Sequence, residues 1–270
     1  MFGGSSETPK MSSDTPQLDI VIPVYNEGAN ILRTLQGLAD RVQSCYRVLI
    51  CYDFEEDDTL SAIGKHGGFA NLAFVRNQGR GAHQAIMTGF QRSNAPFVLV
   101  YPADDDYNAG IIDAMLQKAQ QGNDIVCASR FIRGGGMVGC PWLKAVLVRG
   151  AAFTLHHFAR LGARDSTNGF RLFSRRLLDR VQIESTQGFT YSIELLAKCH
   201  RLRWPIAEVP AQWRERVHGS SRFRVVRWVP AYLRWYFYVF ATTFLRRPPG
   251  SVPAIARQPV HATGSFRNLV

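Results

Sequence analysis

Apolar residues in this chain occur in two textures: short continuous runs, and longer stretches where they recur every three or four positions. Residues 18–24 (LDIVIPV), 46–52 (YRVLICY), 72–76 (LAFVR), 98–101 (VLVY) and 124–130 (DIVCASR) are runs of the length expected for buried strands. Between the first two, Ile31, Leu32, Leu35, Leu38 and Val42 keep helical spacing over residues 29–43. Further helices are expected up to about Lys65, over 81–93 and over 110–121. Strands alternating with helices of this length predict βαβ units: an α/β fold with a Rossmann-like, mainly parallel sheet and helices on both faces. No internal repeat is present.

Beyond the glycines at 134–136 the texture changes. Residues 141–161 predict an amphipathic helix with Trp142, Leu147, Phe153 and Phe158 on its apolar face and Lys144, Arg149 and Arg160 elsewhere. A helix at about 189–202 and a strand-like IAEVPAQWRER follow. Residues 224–246 read as a last helix, rich in aromatics, with Arg227 and Arg234 on one face. Its uninterrupted apolar run after Arg234 is eleven residues, whereas a bilayer span takes about 20. That favours an amphipathic helix at a membrane interface over a span. Packing on the protein's own core or on a second copy in a homodimer is the alternative. The expected organisation is a disordered tail over 1–16, one domain over 17–223, the interface helix over 224–246 and a disordered tail over 247–270. Met11 is a second candidate start.

At 270 residues and 46% apolar content the chain can bury one large core. Cys45, Cys51, Cys127, Cys140 and Cys199 lie far apart with no C-x-x-C pair, which argues for reduced thiols in a cytoplasmic protein and against zinc. The first residues are polar, without the apolar stretch of a signal peptide. The formal charge is +11, and residues 201–270 carry 12 Arg against two acids, Glu208 and Glu215. A nearly neutral body with a basic end predicts a polyanionic partner, either a phosphorylated substrate or an anionic membrane surface. Nucleic acid is disfavoured, because the aromatics form one block instead of interleaving with the Arg residues.

The densest candidate chemistry follows the fourth strand. Its apolar run stops at Pro102 and opens into Asp104, Asp105 and Asp106. Ligands of doubly wound sheets sit off the carboxyl ends of the strands, and carboxylates at i and i+2 can hold one hard cation, which in turn holds a phosphate. A solvated acidic turn is the plainer alternative. Four loops, PVYNEG, YDFEEDD, PADDDYN and ASRF, all leave strands at that same edge. They bring Pro23, Tyr25, Glu27, Asp53, Asp104, Asp106 and Arg130 together. The glycines of Asn77-Gln78-Gly79-Arg80-Gly81 either permit a tight turn or contact phosphate directly. Arg216 and Arg222, six residues apart around a Gly-Ser centre, suit a diphosphate clamp or form a solvated basic loop.

From about Asp19 to Arg227 the chain resembles the inverting family-2 glycosyltransferases of GT-A fold, within them the dolichol/polyprenyl-phosphate mannose synthase-like branch. The resemblance rests on IPVYNEGANI, YDFEEDDT, NQGRGAHQAIMTGF, PADDDYN, ASRFIRGGG, DSTNGFRLF, FTYSIELLAK and EVPAQWRERVHGSSR, in that order. It implies that Pro23, Tyr25 and Glu27 cradle the base and ribose of a nucleotide-sugar donor, with Cys51 and Asp53 on the other side. Ala103, Asp104 and Asp106 would meet the diphosphate and a Mg²⁺ or Mn²⁺ ion. Arg130 would face the phosphates, and Arg216 and Arg222 would clamp the donor. Lys144, Arg149 and Arg171 would line the side of a lipid-phosphate acceptor. The implied place is the cytoplasmic face of the inner (plasma) membrane, as a peripheral protein serving the cell envelope.

Three departures stand out. Pro102 replaces the first Asp of the usual D-A-D-x-Q metal loop, with Asp105 as a substitute ligand. Tyr52-Asp53-Phe54-Glu55 replaces D-D-G-S. Lys144 and Val148 stand where mannose synthases carry Arg and Ser. A non-catalytic nucleotide- or phosphate-binding relative is the alternative they raise. If the acceptor were a sugar hydroxyl, Asp106 or Asp105 would be the base.

Overall fold

The computed structural model describes residues 16–67, 69, 71–214 and 225–255. Seven strands build the main sheet: β1 (Leu18–Pro23), β2 (Tyr46–Tyr52), β3 (Leu72–Arg76), β4 (Phe97–Val100), β5 (Ile125–Ser129), β7 (Arg171–Ser174) and β8 (Ile206–Pro210). Their spatial order is β3-β2-β1-β4-β7-β5-β8. All neighbours are parallel except β7, which runs antiparallel to both β4 and β5, with Val100 opposite Arg171 and Ile125 opposite Phe173. A short second sheet pairs β6 (Gly136–Val138) with β9 (Gln212–Arg214). The strand order reverses between β1 and β4, so their carboxyl ends open the crevice where such sheets take ligands.

The five strands expected from apolar runs all form, with ends within a residue or two. The four-residue β7, buried throughout, was not among them. Nothing local sets its direction, because what places it antiparallel is the pair of strands it slots between.

Helices cover both faces. α1 (Gly28–Arg41), α2 (Asp58–His66) and α4 (Ile112–Gln120) pack Ile31, Leu35, Leu38, Ile63, Ile112 and Met115 onto one side. α3 (Gly81–Arg92), α5 (Trp142–His157), α6 (Arg175–Arg180), α7 (Thr190–Leu202) and α8 (Val225–Phe244) contribute to the core on the other, through Phe90, Leu155, Leu177, Tyr191, Leu195 and Trp235. α7 is buried nearly all round, Glu194 and Lys198 included, and ends at Arg203 in the left-handed conformation.

The helix expected over 224–246 forms as α8, and it is two-sided. Trp235 and Val239 are almost fully buried, while Leu233, Phe237 and Phe244 are exposed. Arg201 of α7 donates to Thr242 Oγ1 (2.9 Å) and to the Tyr238 carbonyl (3.1 Å), fastening it down. The ordered chain also runs past the predicted boundary at 247. Residues Pro249–Ser251 form a 3₁₀ turn, Val252 is buried, and Ala254 bridges to Val181. The expectation of a tail from 247 is thus corrected as far as 255. Pro248, Pro249 and Pro253 lie in this stretch, and Gln182 N donates to the Pro253 carbonyl (3.1 Å).

α3 approaches β1 closely at Gly89. A Cβ there would lie 2.4 Å from Val21 Cγ1 and 3.1 Å from Cys51 Sγ. Helix propensity alone favours Ala over Gly by about 1 kcal/mol. Overpacking a filled core costs about 1–3 kcal/mol and should win. Gly89→Ala is expected to lower the denaturant midpoint, and a raised midpoint would show that the contact yields.

Candidate functional site

The loop from β1 to α1 is shaped by the start of α2. Asn26, with φ of 53°, donates its N–H to both Asp57 oxygens (3.1 Å each). Glu27 N donates to Thr59 Oγ1 (3.0 Å), and Gly28 N to Asp58 Oδ1 (2.8 Å). Asp57 also caps α2 by accepting from Thr59 N (2.9 Å). This leaves Pro23 half-buried and Tyr25 half-exposed, its ring edge-on to Phe54 at 5.4 Å. Asp57, Asp58 and Thr59 were not singled out from sequence. Their signal was an Asp standing just before an apolar helical pattern, where a helix N-cap belongs.

Asp53 leaves β2 and ties down the next loop, accepting from Asn77 Nδ2 (2.6 Å) and Gly81 N (2.8 Å). Asn77 Oδ1 in turn accepts from Gly79 N (3.0 Å) and Thr88 Oγ1 (3.1 Å). Gly81 has a φ of 82°, so the tight-turn role of this glycine segment is present in the structure. Cys51 is a correction. Its side chain is fully buried under α3, and burial pushes the thiol up to about 12. It cannot reach a base at the sheet edge. Only its carbonyl serves the loop, accepting from Val24 N (2.9 Å).

Beyond β4 the three carboxylates divide. Asp105 turns inward, 7% exposed, and accepts from Asn108 Nδ2 (2.6 Å), Asn108 N (2.9 Å) and Tyr107 N (3.2 Å). Burial raises its carboxyl despite those bonds. The idea that Asp105 replaces a missing ligand or acts as a base is corrected, since it holds the turn together. Asp104 and Asp106 flank it and are half-buried. α1 braces this loop: Thr34 Oγ1 donates to the Ala103 carbonyl (2.8 Å), Arg41 Nη1 to the Tyr107 carbonyl (3.0 Å), and Arg33 Nε sits 3.8 Å from Asp106 Oδ2. Among the described residues no three or more His, Cys, Asp and Glu side chains group as a metal site. Asp104 and Asp106 alone offer hard oxygen donors at i and i+2. That set suits Mg²⁺ or Mn²⁺ when a diphosphate and water complete the shell.

On the other side of the crevice Arg130 is anchored to Asp165. Nε donates to Oδ2 (2.7 Å), Nη2 to Oδ1 (2.8 Å) and to Thr167 Oγ1 (2.6 Å). Burial would raise the Asp165 carboxyl, but hydrogen bonds and charge from Arg130 outweigh it and hold the group below its usual value. Arg171 is corrected as an acceptor contact: it is fully buried, donating to the carbonyls of Ser166 (2.7 Å) and Ser192. Lys144, half-buried on α5, lies 4.6 Å from the Trp213 ring centroid, and Arg149 is exposed. Arg216 and Arg222 lie outside the described residues. α5 also exposes Trp142, Leu143, Val146, Leu147 and Phe153, next to the exposed face of α8. Thr154 and Tyr236 hydroxyls join the two helices at 2.8 Å.

The model described as glycosyl transferase family 2 matches residues 19–182. Polyprenol monophosphomannose synthase of Mycolicibacterium smegmatis is 24% identical over 244 residues, covering 83% of this chain and 91% of that protein. Dolichyl-phosphate beta-glucosyltransferase of Drosophila melanogaster is 27% identical over 236 residues, covering 77% and 70%. The crystal structure of glucosyl-3-phosphoglycerate synthase from Mycobacterium tuberculosis with Mn²⁺, UDP and glucosyl-3-phosphoglycerate superposes with a TM-score of 0.58 at 15% identity, covering 88% of this chain and 86% of that one.

Asp165 also sets an acid dependence. A carboxylate held below its ordinary 3.8 stabilises the fold fully above that value and loses its contribution as pH falls below it. Part of the acid decline of the wild-type denaturant midpoint below about pH 5 should come from this group. Asp165→Asn should start lower and decline less steeply in acid. Parallel curves for the two proteins would contradict the assignment.

Proposed function

The chain belongs to glycosyl transferase family 2, and from that premise we propose that it moves a sugar from a nucleoside diphosphate to a lipid phosphate. The carrying observation is the division of the β4 loop: Asp105 is tied into the turn while Asp104 and Asp106 flank it at the mouth of the crevice. On this reading Tyr25, Glu27 and Asp53 receive base and ribose, and the donor diphosphate lies beside Asp104 and Asp106. Those two carboxylates would hold Mg²⁺ or Mn²⁺, which when bound would neutralise charge on the departing diphosphate. Arg216 and Arg222 would add guanidinium donors to the same oxygens.

The acceptor side contributes cations, Arg130, Lys144 and Arg149. An acceptor phosphate is already anionic at neutral pH. One of its oxygens can attack the anomeric carbon as the bond to the diphosphate breaks, and the nucleoside diphosphate leaves with the electron pair. The sugar inverts, and no protein base is needed. The names of the relatives, which include a polyprenol monophosphomannose synthase and a dolichyl-phosphate glucosyltransferase, support a lipid phosphate and leave mannose and glucose both open. Pro102, in place of a carboxylate, favours a second reading, a non-catalytic nucleotide- or phosphate-binding relative.

Transfer assays with GDP- and UDP-sugars and polyprenyl phosphate, with and without Mn²⁺ or Mg²⁺, separate the two. Turnover is expected with one donor, and Asp104→Asn should reduce it by about a hundredfold or more. Binding without turnover across the panel would support the non-catalytic relative.

The exposed apolar faces of α5 and α8 support a membrane location for the acceptor. No described helix is long and apolar enough to cross a membrane. Trp142, Leu147, Leu233 and Phe237 are exposed, with Arg149, Arg160, Arg246 and Arg247 also at the surface. We infer that these faces rest on an anionic membrane surface, each nearby Arg adding about 1 kcal/mol. The protein should co-sediment with anionic vesicles at low salt and be largely released at high salt. Leu147→Asp with Phe237→Asp should abolish sedimentation while leaving nucleoside diphosphate affinity intact. Unchanged sedimentation of that double variant would point to another surface, and self-association of the wild type without lipid would point to a homodimer.

A further inference from the structure

Arg130 and the fully buried Asp165 form the most completely satisfied charged contact at the crevice, and it lies on the acceptor side. Asp165 accepts from Arg130 Nε and Nη2, and also from the backbone N–H groups of Arg130 (3.0 Å), Asn168 (3.1 Å) and Thr167 (3.2 Å). The carboxylate is itself fixed from both directions. Glu208 on β8 accepts from Asp165 N (2.9 Å) and Arg164 N (2.8 Å), and Arg171 donates to the Asp165 carbonyl (3.4 Å) and the Ser166 carbonyl (2.7 Å). Within this cluster the guanidiniums of Arg130 and Arg171 are balanced by the carboxylates of Asp165 and Glu208.

A guanidinium on a strand-end loop has several rotatable bonds, and only a second partner fixes where its remaining N–H groups point. We propose that Asp165 is a positioning residue that aims Arg130 at the phosphate of the acceptor. Thr167 completes the grip by accepting from Arg130 Nη2 at 2.6 Å. The assignment rests on the lipid-phosphate reading above and adds the residue that makes Arg130 competent. The buried carboxylate takes up two of the guanidinium's three nitrogens. Arg130 is thereby held in one rotamer before the acceptor arrives.

The test uses the full chain, the active donor and a short-chain polyprenyl phosphate. Asp165→Asn keeps the shape and removes the charge, and Thr167→Val removes one hydroxyl, which accepts from Arg130 Nη2 and donates to Asp165 Oδ1 (3.3 Å). Asp165→Asn is expected to lower kcat/KM for the polyprenyl phosphate by about a hundredfold, as misplaced groups do. Donor KM and nucleoside diphosphate affinity should stay within about twofold of wild type. Thr167→Val should shift the same acceptor parameter by a smaller factor at unchanged melting temperature, and Asp165→Glu should recover part of the loss. Thr167→Val also keeps the test open if Asp165→Asn does not fold. The assignment is overturned if acceptor parameters stay at wild-type values in both variants. It is equally overturned if donor affinity, acceptor affinity and melting temperature fall in parallel, as a structural defect would make them. Wild-type turnover separates the two layers. If polyprenyl phosphate is no substrate at all, the acceptor reading falls and this assignment with it. If it is a substrate and the variants behave like wild type, only the assignment falls.

Discussion

Irregular loops hold a shape only when their backbone N–H groups find acceptors, and at the carboxyl edge of this sheet side-chain carboxylates supply them. Asp57 and Asp58 take the N–H groups of the first loop, Asp53 that of Gly81, Asp105 those of Tyr107 and Asn108, and Asp165 those of Arg130, Thr167 and Asn168. A charged acceptor makes a shorter and stronger bond than a neutral one, so each loop is pinned where a ligand would otherwise have to order it. This constraint divides the acids of the crevice. Asp57, Asp105 and Asp165, each committed to several donors, are buried, while Asp104 and Asp106, set between and beyond them, are half-exposed.

The sheet was legible because strands buried on both faces must be apolar throughout, and such runs stand out whatever surrounds them. The convergence of four loops was legible for the same reason: once strands are parallel, their exits share an edge. What composition and spacing could not give was the direction of a side chain. Asp104, Asp105 and Asp106 are chemically identical in sequence. Only Asn108, whose side chain also bridges to Gln212 on β9, decides that the middle one turns inward. Cys51 and Arg171 illustrate the same limit. Both sit where the chain reaches the edge, yet Cys51 points under α3 and Arg171 points into the core facing Tyr191 and Ser192. A strand alternates its side chains between faces, so being at an edge says nothing about facing a ligand.

Arg171 also shows why a buried cation can persist without a carboxylate of its own. Its guanidinium donates to three carbonyls, those of Asp165, Ser166 and Ser192. It spans the turn before β7 and the first turn of α7. Removing it would take a donor from the Asp165 and Ser166 carbonyls inside the protein, and a buried polar group without a partner costs about 1–3 kcal/mol.

α8 poses the opposite problem, because its apolar residues lie on two faces and hydrophobicity alone does not say which face goes in. Polar contacts choose. Lys198, fully buried on α7, pairs with Glu194 (2.6 Å) and Glu184 (2.7 Å), and Glu184 also accepts from Arg234 of α8 (2.8 Å). Buried ion pairs return little net energy once desolvation is counted, but a misaligned partner leaves a charge stranded, and that costs several kcal/mol. Rotating α8 by half a turn would take Arg234 from Glu184 and carry Arg201 away from Tyr238 and Thr242. The pairs therefore fix the register of a helix that burial would leave ambiguous. They keep Trp235 and Val239 inward, and the face carrying Leu233 and Phe237 outward beside that of α5.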